Sequence, residues 1–133
     1  MKTVVWVVSA LLAVAFVMVG LGKLVSSGAD LEAAADGIPV LLFRVAGVAE
    51  VLGAIGLVLP AATRIQPWLT PVAAAGLTFT MMCAVVANLS VGGGATALFP
   101  LVLGVLSAFV AWARRGPYAV APRTTSEPVT ARA

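Results

Sequence analysis

The sequence has 133 residues, of which 62% are hydrophobic and only 10% are charged, well below the rough quarter of charged residues typical of a soluble domain. The net charge of +3 comes with no basic helix and no patch of interleaved basic and aromatic residues, so we expect no nucleic-acid partner. A chain with no histidine and a single cysteine, Cys83, offers neither a His/Cys metal site nor an intrachain disulfide.

Four apolar segments follow one another along the chain, each about 20 residues long and able to cross a hydrocarbon layer about 30 Å thick. They predict helices over residues 4–22, 38–59, 69–90 and 95–113. The second helix should end before Pro60, because proline cannot continue a helix. We therefore predict an all-α integral membrane four-helix bundle as one domain, residues 1–115. A disordered cytoplasmic tail, residues 116–133, should follow it.

The first apolar segment follows Lys2 as a signal peptide would, but it is longer than the usual apolar region of about 7–15 residues, so we expect it to be retained. With both termini cytoplasmic, the inner side receives Lys2, Arg64, Arg114 and Arg115. The first outer loop then carries Lys23 against Asp30, Glu32 and Asp36. This asymmetry agrees with the positive-inside rule. The tryptophans agree as well, since Trp6, Trp68 and Trp112 all fall at predicted inner helix ends.

Small residues at helical spacing predict where the helices pack, because lipid gives helices no hydrophobic reason to associate. The predicted packing glycines are Gly20 in the first segment, Gly47, Gly53 and Gly56 in the second, and Gly76 in the third. Gly47, Gly53 and Gly56 recur every three residues together with Glu50, and Gly76 begins a repeat of every four residues that continues through Thr80, Ala84 and Asn88, so each set lies on one helix face.

Glu50 lies near the middle of the second segment, where a carboxylate costs about 3 kcal/mol to insert. Lys23, Arg44 and Asn88 fall in the same outer half of the predicted bundle, so we expect the four residues to form a polar cluster. Two interpretations stay open. The cluster is either a structural network that fixes helix register or a polar cavity, open to the outer face, that binds a headgroup or moves a proton. No residue set suits acid/base catalysis, so no catalytic residue is predicted.

Three segments resemble the DoxX-like family. Gly20-Leu21-Gly22-Lys23-Leu24 is similar to its G-x-x-K-L segment, and residues 44–60 are similar to its most characteristic segment, around an E-L-L-G-A-x-G-L-x-x-P core. Residues 82–89 resemble its third-helix segment, although Asn88 stands where many relatives have histidine. The resemblance implies a four-helix membrane protein of the bacterial inner membrane, with Lys23, Arg44, Glu50 and Asn88 as the motif positions.

Relatives of this kind are tied to sulfur-compound oxidation, oxidant detoxification or assembly of other membrane proteins, so the resemblance implies an accessory or anchoring subunit of a redox-linked complex. We expect no catalytic activity from the chain alone. Its expected partners are membrane lipid and a membrane or peripheral protein, and quinone is the cofactor class to test. The alternatives are a quinone- or thiol-linked oxidoreductase subunit and a small-solute transporter. The transporter would require a homo-oligomer, because four helices are few for transport.

Overall fold

The computed structural model describes residues 1–35 and 37–124, and in this part of the chain all regular structure is helical. The five helices are α1 (Lys2–Val25), α2 (Gly28–Ala35), α3 (Val40–Thr63), α4 (Leu69–Ser90) and α5 (Leu98–Arg115). All except α2 are long and apolar enough to span a membrane. The predicted all-α fold with four spanning helices is therefore confirmed.

The four long helices run alternately up and down. α1 packs along α3, α3 along α4 and α4 along α5, while a smaller contact between α1 and α5 closes the bundle. The core between them is built from large apolar side chains: Leu12, Phe16, Leu57, Leu77 and Val110. Short connectors make antiparallel neighbours the natural arrangement.

The two ends of the bundle differ in charge. The end where α1 begins and α5 finishes is called the basic end, because it carries Lys2, Arg64, Arg114 and Arg115. The guanidinium of Arg114 lies 4.4 Å from the centre of the Trp6 ring, which joins the ends of α5 and α1. The opposite end carries α2 and residues 91–97.

The outer surface of the bundle is apolar. Every spanning helix exposes large hydrophobic side chains, among them Leu11, Leu52, Phe79 and Val105. The small hydroxyl side chains of Ser9 and Ser107 are fully buried instead. Such a distribution suits hydrocarbon as the surrounding solvent, where helices satisfy their own backbone groups. The chain is a multi-pass membrane protein.

The helix α2 lies in the segment that the sequence pattern predicts to be the first outer loop. Its start is stabilised by a reciprocal pair of hydrogen bonds: the Asp30 backbone N–H donates to Ser27 Oγ at 3.1 Å, and that hydroxyl donates to Asp30 Oδ2 at 2.6 Å. Leu31 and Ala35 are buried and hold the helix against the bundle. A serine followed three residues later by an acidic residue is a known start signal for a helix, and it could have revealed α2.

The helix bounds differ from the predicted ones by up to four residues, and the largest difference is at the end of α3. The expectation that the second apolar helix ends before Pro60 is wrong, since α3 continues through Pro60 to Thr63. A proline this near the end removes one backbone hydrogen bond, to the Gly56 carbonyl, and the remaining turn still forms. Beyond α5, the Arg123 N–H donates to the Arg64 carbonyl at 3.0 Å, which holds the first part of the predicted tail against the bundle. Residues 125–133 of that tail lie outside the described residues.

Candidate functional site

The crossing of α1 and α3 brings two backbones into contact. A Cβ placed on Gly20 would lie 2.8 Å from the Gly47 carbonyl oxygen, and one placed on Gly47 would lie 2.9 Å from the Gly20 carbonyl oxygen. Only glycine permits this approach at both positions, because real side chains do not come so close to a backbone oxygen. Lys23 follows Gly20 by one turn of α1, and Glu50 follows Gly47 by one turn of α3. The close crossing therefore brings the side chains of Lys23 and Glu50 near enough to pair.

The contact between α3 and α4 also depends on glycine. A Cβ on Gly53 would collide with the Leu77 side chain, and one on Gly56 would lie 2.6 Å from the Ala73 Cβ. The predicted packing role of Gly76 is wrong within one copy of the chain, since a Cβ there would meet no atom within 4 Å. The buried face of α4 runs through Ala74, Leu77 and Met81 instead, and Gly76 points away from it.

Lys23 and Glu50 form an ion pair inside the bundle. The Lys23 Nζ lies 2.5 Å from Glu50 Oε1, and the Glu50 side chain is 0% exposed while that of Lys23 is 19% exposed. A charge within a membrane is expensive, and pairing with an opposite charge offsets part of that cost. The second carboxylate oxygen, Glu50 Oε2, is buried and has no hydrogen-bond partner among the described residues.

Arg44 does not contact Glu50. Its guanidinium donates hydrogen bonds to three backbone carbonyls at the end of α1, those of Lys23 at 2.7 Å, Leu24 at 2.5 Å and Ser26 at 2.7 Å. The last carbonyls of a helix have no partner within the helix, and a cation there also interacts favourably with the helix dipole. Arg44 therefore anchors the end of α1 to α3 and fixes the backbone that carries Lys23.

Asn88 is separate from the ion pair as well. Its side-chain amide donates to the Ala84 carbonyl at 2.7 Å, and its Oδ1 accepts a hydrogen bond from Thr96 Oγ1 at 2.9 Å. The predicted cluster of four is therefore three neighbouring groups: a Lys23–Glu50 ion pair, an Arg44 anchor and an Asn88–Thr96 pair.

An intramembrane cavity of about 440 Å³ connects the ion pair with the Asn88–Thr96 pair. Lys23, Glu50, Asn88 and Thr96 all line it, together with apolar side chains of α3, α4 and α5. We call it the α3–α4 cavity. Its volume lies in the range of pockets that bind small molecules, and its mainly apolar wall with a few polar groups is typical of them.

The α3–α4 cavity lies where small side chains line both helices. The helices touch at Gly53 and Gly56, in the second half of α3, and towards the opposite end the cavity is lined by Ala46 and Ala49 on α3 and by Ala84 and Ala87 on α4. Val45 and Phe79 line the cavity and are also exposed on the bundle surface, so the cavity reaches the lipid-facing side. The facing alanines were visible in the sequence, but only the helix crossing shows that they leave space.

Cys83 also lines this cavity, and its side chain is exposed. In the sequence, Cys83 falls within the third predicted helix, residues 69–90. Among the described residues, no group of three or more His, Cys, Asp or Glu side chains could hold a metal ion.

Comparison with known protein families shows that a family model described as the DoxX-like family matches residues 7–110. The matched region runs from the first turns of α1 into the last turns of α5, and it contains Lys23, Arg44, Glu50 and Asn88. Neither a search of curated proteins nor a search of solved structures found a significant match.

Proposed function

We propose, since this chain belongs to the DoxX-like family, that it is an accessory membrane subunit of a redox-linked complex and that its α3–α4 cavity binds a small amphipathic ligand of the quinone class. In this proposal the chain lies in a bacterial inner membrane with both termini cytoplasmic. Redox chemistry belongs to the protein partner, and this chain binds and orients the ligand.

The observation that carries the proposal is that Glu50, a residue that lines the cavity, has a buried carboxylate oxygen, Oε2, with no hydrogen-bond partner among the described residues. Buried polar atoms in folded proteins nearly always have a hydrogen-bond partner. An unpartnered polar atom on a residue that lines a cavity therefore indicates a hydrogen-bond partner from outside the chain. A purely structural Lys23–Glu50 pair would gain from satisfying both carboxylate oxygens within the bundle. A ligand hydroxyl in the cavity could donate to the free oxygen.

The residues of the cavity suit a quinone. Its carbonyl oxygens need hydrogen-bond donors, which the Lys23 ammonium and the Asn88 amide can provide, and the hydroxyls of its reduced form need an acceptor such as Glu50 Oε2. The apolar wall suits the ring and an isoprenoid chain, which could leave between Val45 and Phe79 on the lipid-facing side. When bound, a quinone would supply two-electron redox chemistry to the complex.

The short connectors between the spanning helices support an accessory role. The connectors between spanning helices are residues 26–39, 64–68 and 91–97, and only the first contains a helix. Such connectors are too short to fold into a catalytic domain, so the reaction that uses the ligand would take place on a partner.

Extraction from native membranes tests both parts of the proposal. Tagged wild type, Glu50→Gln and the matched control Glu32→Gln, whose side chain is exposed on α2, would be purified in mild detergent, and bound proteins and lipids would be identified by mass spectrometry. We expect wild type and the control to retain a stoichiometric protein partner and a quinone. Glu50→Gln should keep the partner and retain about tenfold less quinone, since it replaces a charged acceptor.

Two results would count against the proposal. Wild type that purifies with no stoichiometric partner would remove the accessory role. Equal quinone retention by wild type and Glu50→Gln, with both variants folded, would remove Glu50 and the α3–α4 cavity from ligand binding.

A further inference from the structure

A second cavity, of about 750 Å³, lies at the basic end, far from the Lys23–Glu50 pair. We call it the basic groove. The first turns of α4 and the last turns of α5 form two of its walls, and residues 119–122 form a third. Trp68 and Trp112 line it and are 60% and 62% exposed. Tryptophan at a helix end is typical of the boundary between hydrocarbon and headgroups.

Arg114 lines the basic groove and is only 5% exposed. Its Nε and Nη2 atoms are buried and have no hydrogen-bond partner among the described residues. The guanidinium stacks over Trp6 at 4.4 Å, an attraction through the ring face that leaves the N–H donors unsatisfied. A buried charged donor without an acceptor is costly. The geometry therefore calls for an anion.

The described part of the chain provides no carboxylate at this end. Its acidic residues are Asp30 and Glu32 on α2, at the opposite end of the bundle, and Glu50 in the middle of α3. Arg115, which is exposed, lines the groove next to Arg114. Two arginines that line one groove suit a phosphate, because a guanidinium group can donate two parallel hydrogen bonds to phosphate oxygens.

We propose that the basic groove binds the headgroup phosphate of an anionic phospholipid through Arg114 and Arg115. A lipid fits better than a free phosphate ion because most of the groove wall is apolar, with Pro71, Val72 and Ala75 on one side and Ala111 on the other. Val72 and Ala75 are exposed on the lipid-facing surface, where acyl chains can lie along α4. This site is independent of the proposed quinone site.

The tryptophans provide the readout. The sequence has three, Trp6, Trp68 and Trp112, and all of them lie at the basic end, so intrinsic fluorescence reports on this end alone. The full chain would be reconstituted in two sets of phosphatidylcholine vesicles. One set contains a small fraction of phosphatidylglycerol with brominated acyl chains, and the other contains the same fraction of phosphatidylcholine with brominated acyl chains. We expect brominated phosphatidylglycerol to quench more strongly, with an association constant about tenfold higher than that of brominated phosphatidylcholine.

Variants assign the preference to the groove. Arg114→Gln should abolish the preference for phosphatidylglycerol and Arg115→Gln should reduce it, while Lys2→Gln removes one charge at the same end outside the groove and should leave it unchanged. Arg115 is exposed, so its variant keeps the test open if Arg114→Gln fails to fold. Equal quenching by both lipids in wild type, or the same loss in Lys2→Gln as in the arginine variants, would overturn the proposal.

Two further arms separate other sources of the anion. Inorganic phosphate in the buffer should leave the preference for phosphatidylglycerol intact. If added phosphate abolished that preference, the groove would be a site for free anions and the lipid assignment would be overturned. Glu127 lies outside the described residues, so Glu127→Gln is made in the full chain. An unchanged preference supports the proposal. A preference that appears only in Glu127→Gln would show that the chain itself supplies the anion and would overturn it.

Discussion

Replacing Lys23 with methionine is expected to lower the free energy of unfolding by about 3–5 kcal/mol, the cost of breaking a buried ion pair by removing one partner. Methionine keeps most of the length of the lysine side chain and removes the ammonium that lies 2.5 Å from Glu50. The carboxyl group, which is fully buried, then has no charged partner in the described chain. The measurement is reversible unfolding of the purified chain in mixed micelles with increasing dodecyl sulfate.

Two further variants test whether the loss of stability comes from the ion pair. Lys2→Met removes a lysine that is exposed at the basic end, and it should change stability by less than about 0.5 kcal/mol. The double variant Lys23→Met with Glu50→Gln should recover most of the loss, because no unpaired charge is left in the bundle. A double variant as unstable as Lys23→Met alone would show that the loss comes from packing around Lys23 and not from the ion pair.

Gly20→Ala is expected to destabilise the bundle by about 1–3 kcal/mol, the usual cost of overpacking. The added Cβ would lie 2.8 Å from the Gly47 carbonyl oxygen, and a backbone atom can move only if the helices separate. Separation of α1 from α3 would also pull Lys23 away from Glu50. The same unfolding measurement in mixed micelles gives the change.

The control is two residues away on the same helix. A Cβ on Gly22 would meet no atom within 4 Å, so Gly22→Ala should be neutral or stabilising by up to about 1 kcal/mol, since alanine favours helix over glycine. Equal effects of the two substitutions would contradict the close α1–α3 crossing.

The parts of the fold that follow from hydropathy were predictable. Three features depend on local composition, and the structure has all of them. They are the four spanning helices, the charge difference between the two ends, and the location of Trp6, Trp68 and Trp112 at one end. The end of α3 was missed because proline near a helix terminus costs little, and α2 was missed because a helix of eight residues gives a weak periodic signal.

The candidate site was predictable only as a region. Spacing along α1 and α3 brought Lys23 and Glu50 to the same half of the bundle, but it could not give the direction of the long Arg44 side chain, which turns to the end of α1. Nor could it show the α3–α4 cavity, which depends on the tertiary packing of α3 against α4 beyond their contact at Gly53 and Gly56. The burial of Arg114 could not be predicted from the sequence either, because an arginine in the last turn of a spanning helix ordinarily extends its side chain to the headgroups.

The most direct test of the central claim, that the cavity beside Lys23 and Glu50 binds a quinone-class ligand, is protection of Cys83 from alkylation. It is the one cysteine of the sequence and it lines the cavity, so labelling of the reconstituted chain by a lipid-soluble maleimide reports on this position alone. We predict that added decylubiquinone slows labelling of wild type and leaves the labelling rate of Glu50→Gln unchanged. Labelling of wild type at the same rate with and without the quinone would contradict the account.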